Sequence, residues 1–234
     1  KDEVFRLWED SRGDIWISAY GLAVWERATG RIRNFEGTPA SQYSDLPSAF
    51  AEDRAGHVWI GDYSKGILHY AAGSFEHFCP AEGVPAGVLS TLHLDSKGRL
   101  WVATTNGVAR LDDPDGPSRA FHRLGTADGL SSRDISAIVE DRSGRIYFAG
   151  GRGVDRLEPE TGRIDHLGTA DGLVGGTIAL ALAGGDGALW FASPQGISRL
   201  VPSTHEAEAP PAVRIFDVRV AGEPRPVSPL GATA

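Results

Sequence analysis

Glu52-Asp53-Arg54-Ala55-Gly56-His57-Val58-Trp59-Ile60-Gly61, followed by Gly66-Ile67-Leu68-His69-Tyr70, decides how this chain folds. It reads as a polar turn, an aromatic-centred apolar strand, a glycine and a second strand. The aspartate can cap the turn with its side chain, and the glycine after it can take a positive φ. The unit recurs five times, with Trp16, Trp59, Trp101, Tyr147 and Trp190 as register marks spaced by 43, 42, 46 and 43 residues. Three residues before each mark stands a glycine: Gly13, Gly56, Gly98, Gly144 and Gly187. Six residues before stands Asp10, Asp53, Asp95 or Asp141, and Gly184 in the fifth copy.

Each unit predicts four short strands; in the second they fall near 48–52, 57–61, 66–70 and 74–78. No segment carries the 3.6-residue apolar period of a helix. Four strands repeating about every 40–45 residues predict an all-β chain, a β-propeller of four-stranded antiparallel blades. The five repeats place the blades at about 1–43, 44–86, 87–130, 131–173 and 174–209. Blade sheets stack face to face, so runs such as Ile15-Trp16-Ile17 are apolar throughout. In the connections Gly125–Leu130 and Gly168–Leu173, both Gly-Thr-Ala-Asp-Gly-Leu, the Asp-Gly makes a turn and the leucine plugs between blades. The fifth unit has no evident fourth strand. Either the strand-like stretch Arg214–Val220 closes a five-bladed ring, or further blades or a second copy of the chain cover its open edges. The tail from Glu223 reads as flexible.

The 234 residues carry a formal net charge of −8, with basic residues scattered, which argues against nucleic acid and against an anionic membrane surface. Cys79 stands alone, so disulfides and thiolate metal clusters are excluded. Methionine is absent even at residue 1, so the chain is expected to begin inside a longer reading frame. No apolar run reaches the roughly 18 residues of a membrane span.

The chemistry-bearing residues mostly read as scaffold. The repeated aspartates occupy one position per blade and cannot converge. The five aromatic marks, and Trp25 in the slot of Leu111, are expected in the core; Trp8 is a candidate for the surface or channel. The seven histidines show no metal-ligand spacing, and His57, His69, His77 and His93 sit at ordinary blade positions. Asp112-Asp113-Pro114-Asp115-Gly116 lacks the distal Glu of a calcium loop and reads as a third-to-fourth-strand turn. Gly184-Gly185-Asp186 falls in the turn slot of the fifth blade. Neither a phosphate loop nor a nucleophile elbow is present. No metal and no cofactor is expected, and no catalysis.

The pattern Glu-Asp-x-x-Gly-x-(Val/Ile)-Trp-Ile, then Gly-(Val/Ile)-x-Arg-Leu, then Asp-Gly-Leu, resembles the two-component regulator propeller repeat. Its best carriers are Glu140–Asp141, Gly153–Leu157, Gly196–Leu200 and the two Thr-Ala-Asp-Gly-Leu segments. Pro210-Pro211-Ala212-Val213-Arg214-Ile215 looks like the opening of the Ig-like domain that follows such propellers. The resemblance implies a ring of more blades, about seven. It also implies a periplasmic sensor region of a membrane-bound hybrid histidine kinase or diguanylate cyclase, homodimeric at full length, with its signal peptide and membrane span outside this segment.

Function is expected where a strict scaffold varies. The loops between first and second strands, and between third and fourth, look stereotyped; those between second and third do not. They carry Tyr20, Asp62, Tyr63, Lys65, Thr105, Asn106, Arg152 and Gln195, the candidate ligand-binding residues. Gln42, Tyr43, Arg133 and Asp134 share that rim. Mixed aromatic and polar groups on loops suit a small polar ligand such as an oligosaccharide, or a protein partner. The alternatives are a single-propeller lyase, which needs an acid and a base converging on the rim, and an interaction scaffold.

Overall fold

The computed structural model describes residues 3–44, 46–116, 119–202, 218–220 and 223–225. The Asp-x-x-Gly turns close as the residue types require. Asp95 Oδ1 accepts the backbone N–H of Lys97 (3.0 Å) and of Arg99 (2.9 Å), and Gly98 takes φ +85°. The second carboxylate oxygen reaches the register mark: Trp101 Nε1 donates to Asp95 Oδ2 at 2.8 Å. Trp16 and Trp59 do the same to Asp10 and Asp53, at 3.1 and 2.9 Å, and the Tyr147 hydroxyl donates to Asp141 at 2.9 Å. One carboxylate thus caps the turn and satisfies the one polar atom of the buried ring, which explains the six-residue spacing.

Each turn joins the first two strands of an antiparallel sheet. Blade 1 is β1 (Arg6–Glu9), β2 (Ile15–Ala19), β3 (Gly21–Glu26) and β4 (Arg31–Asn34). Blade 2 is β5 (Pro47–Glu52), β6 (Val58–Asp62), β7 (Gly66–Ala71) and β8 (Ser74–Phe78). Blade 3 is β9 (Leu89–Leu94), β10 (Leu100–Thr104), β11 (Gly107–Leu111) and β12 (Phe121–Leu124). Blade 4 is β13 (Ile135–Glu140), β14 (Ile146–Gly150), β15 (Gly153–Glu158) and β16 (Arg163–Leu167). Blade 5 has three described strands, β17 (Leu180–Ala183), β18 (Leu189–Ser193) and β19 (Gly196–Leu200). The first strands run side by side, β1 by β5, β5 by β9, β9 by β13 and β13 by β17.

Residues 1–202 form one unit and 203–234 a second. In the second, β20 (Val218–Val220) pairs with β21 (Glu223–Arg225). The described end of the expected closing strand therefore pairs within its own hairpin, and Glu223–Arg225 is strand where a flexible tail was expected. The rest of Arg214–Val220, the start of the Ig-like stretch and the remaining tail lie outside the described residues. One short helix, α1 (Pro39–Tyr43), interrupts the first connection. Its five residues are too few to show periodicity.

Adjacent blades share clusters of buried side chains. Trp16 packs with Phe50, Ile60 and Tyr70 of blade 2, and Trp101 with Ile138 and Phe148 of blade 4. Leu130 lies buried in the second of these clusters as the expected plug, and Leu173 packs against the next. Asp128 Oδ2 accepts the Gly125 N–H at 2.8 Å and Gly129 takes φ +109°, so the Asp-Gly turns this connection as expected. A serine inside the first strands of blades 2, 3 and 4 adds a polar stitch. Ser48 Oγ lies 3.0 Å from Leu89 O, Ser90 Oγ lies 2.5 Å from Ile135 O, and Ser136 Oγ bonds Ile178 O.

The face bearing the register mark packs on the following blade, so the two terminal blades each keep one face uncovered. On blade 5 this exposes Trp190 (38%), with Leu182 (65%) beside it and Leu180 and Ile197 on the same face. Blade 1 exposes Leu7 and Ile32 on its opposite face and leaves Trp25 half-buried. Core placement thus fails for Trp190 and Trp25, because that placement needs a neighbouring blade. Trp8 is half-buried and stacks on Phe50 at 5.9 Å.

Candidate functional site

In a blade of antiparallel neighbours, the loops between second and third strands fall at the end where one blade connects to the next. Backbone bonds tie the two sets together on this rim. Tyr63 N donates to Leu46 O (3.0 Å), Thr105 N to Val88 O (2.9 Å) and Gly107 N to Arg133 O (2.7 Å). The rim frame is therefore fixed, and what differs is the side chains it carries.

Tyr20 and Tyr63 are exposed, as are Thr105, Asn106, Arg152 and Gln195. The Tyr20 hydroxyl lies 3.0 Å from Glu3 Oε2, and its ring meets Phe5 edge-on. Lys65 is half-buried and its Nζ donates to Gln42 O at 3.2 Å. Thr105 Oγ1 accepts the Val88 N–H at 3.0 Å. Asp62 differs from its neighbours. It is 2% exposed, Oδ1 accepts the N–H groups of Ser64 and Lys65 (both 2.9 Å) and Oδ2 that of Leu46 (2.9 Å). Its carboxylate shapes the loop that presents Tyr63 and Lys65 and does not face solvent.

The structure places the candidates in separate clefts. Tyr20 lines one of about 470 Å³ with Phe35 and Glu36. Tyr63 lines one of about 320 Å³ with Phe5 and Arg6. Arg152 lines one of about 520 Å³ with His166, Thr169 and Asp171. His166 is a rim residue that the sequence did not single out. Its Nδ1 lies 2.9 Å from Asp155 Oδ1, and Asp155 is buried, with Oδ2 accepting the Ser131 N–H at 2.8 Å. With Nδ1–H held by a carboxylate, Nε2 is the basic nitrogen, as in a His–Asp pair. Among the five blades, the cross-strand position of this pair is matched by Asn34 opposite Ala23, His77 opposite Leu68 and Arg123 opposite Ala109, so the pairing belongs to blade 4 alone among these.

The other end of the blades carries the Asp-x-x-Gly turns and the loops between third and fourth strands. Those loops are not uniform, contrary to expectation. They span two residues in blade 2 (72–73), four in blades 1 and 4 (27–30 and 159–162), and nine in blade 3 (112–120). The long one brings Asp115 and Arg119 against blade 2. It remains a third-to-fourth-strand connection, as the sequence indicated. Burial works against the charged form of Asp95, but hydrogen bonds from Trp101 and Arg99 outweigh it and hold the acid below the usual aspartate range. Glu140 is likewise lowered. Burial opposes the shift, and His93 with the Ser96 hydroxyl and N–H outweighs it.

Fold and rim together define a segment of β-propeller with a variable loop face. No family model matches the sequence, and none of the curated proteins matches it significantly. Solved structures do resemble it. The extracellular domain of a protein assigned to the hybrid two-component systems of B. thetaiotaomicron superposes with a TM-score of 0.78 at 20% identity, over 97% of this chain and 33% of that one. A second such domain from B. thetaiotaomicron gives 0.65 at 20% identity, over 87% of this chain and 31% of that one. Virginiamycin B lyase from Staphylococcus aureus gives 0.61 at 18% identity, over 87% and 71%. This chain spans about a third of the length of the two extracellular domains. At these identities the likeness establishes the propeller fold.

Proposed function

We propose that the chain is a non-catalytic sensing segment from the extracytoplasmic region of a bacterial two-component-type signalling protein, and that it reads a small polar ligand through the rim loops. The observation that carries this reading is the contrast at the rim. Hydrogen bonds repeated from blade to blade hold the loops, and the side chains they present change at every blade. The similarity to extracellular domains of two-component proteins points the same way. The uncovered faces of blades 1 and 5 are where further blades would pack. Among the described residues no helix is long and apolar enough to cross a membrane. A ligand seated on the rim would act by favouring one packing of paired chains over another.

The test is a panel of oligosaccharides and other polar ligands titrated by calorimetry against the protein and against a variant with Tyr20, Tyr63, Lys65 and Arg152 all changed to alanine, so that each of the three clefts is altered. The reading expects a ligand whose affinity falls at least about 10-fold in the variant, the order of one lost polar or stacking contact. A ligand bound equally by both proteins sinks the rim assignment.

A lyase is the second reading, and the His166–Asp155 pair beside Arg152 is the observation that favours it. It would supply one general base in a cleft open to solvent. Elimination or hydrolysis of candidate substrates that disappears in His166→Gln, with the fold intact by circular dichroism, would replace the sensor reading.

A further inference from the structure

We infer that blade 2 holds a zinc-class divalent cation at the end opposite the ligand rim, with Asp53, His57 and His69 as ligands and Asp115 of blade 3 as the fourth. The internal repeat exposes the site. Four residues after the turn aspartate, blades 3 and 4 carry Arg99 and Arg145, whose guanidinium groups pair with Asp95 and Asp141 at 2.7 and 3.0 Å. Opposite the register mark on the third strand, blades 3, 4 and 5 carry Arg110, Arg156 and Arg199. Blade 2 has histidine at both positions, His57 and His69 opposite Trp59. Where blades 3 and 4 carry arginine at both positions, this blade carries two imidazoles.

Their geometry fits an ion. His57 Nδ1 lies 3.4 Å and His69 Nε2 3.6 Å from Asp53 Oδ2, and all three atoms lie within 4.8 Å of one another. Asp115 Oδ1 is 3.9 Å from His57 Nδ1. A tetrahedral ion with bonds of about 2.0–2.1 Å sets its ligand atoms about 3.3–3.4 Å apart; the first three ligands stand near that spacing, and the Asp115 side chain swings in to complete the shell. Among the described residues neither imidazole nitrogen makes a hydrogen bond, although both atoms are buried and the His69 side chain is only 3% exposed. A buried nitrogen without a partner is costly, and coordination supplies the partner. Two carboxylates cancel the charge of a divalent ion. Two imidazoles with two carboxylates suit zinc; calcium and magnesium prefer shells of oxygen.

The surroundings supply an outer shell. Trp59 Nε1 donates to Asp53 Oδ2 at 2.9 Å and fixes the carboxylate. Arg119 Nη1 lies 2.8 Å from His69 Nδ1 and pairs with Glu76, whose Oε2 is 3.9 Å from His69 Nδ1. While Arg119 donates to Nδ1, the ring proton sits on Nε2. Coordination through Nε2 moves that proton to Nδ1, facing Glu76, and leaves Arg119 on Glu76 alone. The ion would pin the long loop of blade 3 to blade 2, and His57, whose side chain is 32% exposed, opens a path to solvent.

The experiment titrates zinc, magnesium and calcium into the untagged, chelator-treated protein, following binding by calorimetry and the melting temperature. Cobalt is substituted to read the coordination spectrum. One zinc per chain, a raised melting temperature and the intense visible bands of four-coordinate cobalt are expected. His57→Arg and His69→Arg restore what blades 3 and 4 carry, so both should fold without metal while losing about 100-fold or more in zinc affinity; even outer-shell losses cost 10–100-fold. If His69→Arg does not fold, His57→Arg decides alone, since that side chain is partly exposed. Absence of saturable zinc binding overturns the site. So does zinc affinity unchanged in His57→Arg, which assigns the binding to exposed histidines such as His122, and so does magnesium or calcium binding as tightly as zinc.

Discussion

Replacing Asp95 with alanine tests whether the repeated aspartates are scaffold. The carboxylate accepts from Lys97 N, Arg99 N, Arg99 Nε and Trp101 Nε1 at 2.7–3.0 Å. Lys97 is exposed, and water can replace the bond its N–H loses; the Arg99 side chain is only 14% exposed and loses its ion pair too, so the sum of the next two costs is a minimum. Trp101 is fully buried, so its N–H is left without a partner, at a cost of about 1–3 kcal/mol. Losing the side-chain cap of the turn adds about 1 kcal/mol by analogy with helix caps, for a total of roughly 2–4 kcal/mol. Asp95→Asn keeps an oxygen for the backbone N–H groups but turns an amide toward the indole or the turn, and should fall between. Urea unfolding followed by tryptophan fluorescence gives the values, with exposed Glu36→Ala as the control. A loss for Asp95→Ala within about 0.5 kcal/mol of that control, the range of ordinary surface changes, would refute the structural role and reopen a chemical one.

Acid should weaken the fold. Asp95, Glu140, Asp10 and Asp165 are all held below their ordinary values, with hydrogen bonds from neighbours outweighing burial. Between folded and unfolded values the unfolded chain binds more protons. Stability is therefore present in full above the unfolded values of about 4 and declines as pH falls through the lowered folded ones; the urea midpoint should be flat from pH 7 to about 5 and drop below about 4. Ser90→Ala removes the stitch between blades 3 and 4 and should cost about 1 kcal/mol by the same unfolding assay. Leu130→Ala empties a buried plug and should cost about 2–5 kcal/mol, whereas Leu182→Ala, on the uncovered face, should change stability by less than about 0.5 kcal/mol.

The fold was legible because its signal is repeated. In blade 2 the expected strands differ from the observed ones by one residue at most, helped by Pro47, Asp53, Gly66 and Gly73, which stand at strand ends. The role of Asp53 as a turn cap could be read from its neighbours along the chain. Its bond to Trp59 could not, because the bond depends on how the second strand leaves the turn. Trp190 shows the limit of reasoning by repeat: an identical position is buried only if another blade covers it. The rim residues were legible as a set but not as clefts, and Asp62 was misplaced because loop position alone does not tell an inward carboxylate from an outward one. His57 and His69 lie 12 residues apart, outside any metal-ligand spacing, and meet only through the pairing of β6 with β7. A position-by-position comparison of the repeats would have found them as the one blade with histidine at the two positions where blades 3 and 4 have arginine. Asp115 and Arg119 were hidden by taking the third-to-fourth-strand loops as uniform.

The central claim, that the loops between second and third strands read the signal, is tested most directly by hydrogen exchange with a bound ligand from the polar panel. The account predicts protection confined to the loops around Tyr20, 62–65, 104–106, 150–152 and 193–195 and the connections bonded to them. Protection centred on the Asp-x-x-Gly turns at the other end, with the rim unchanged, would contradict it.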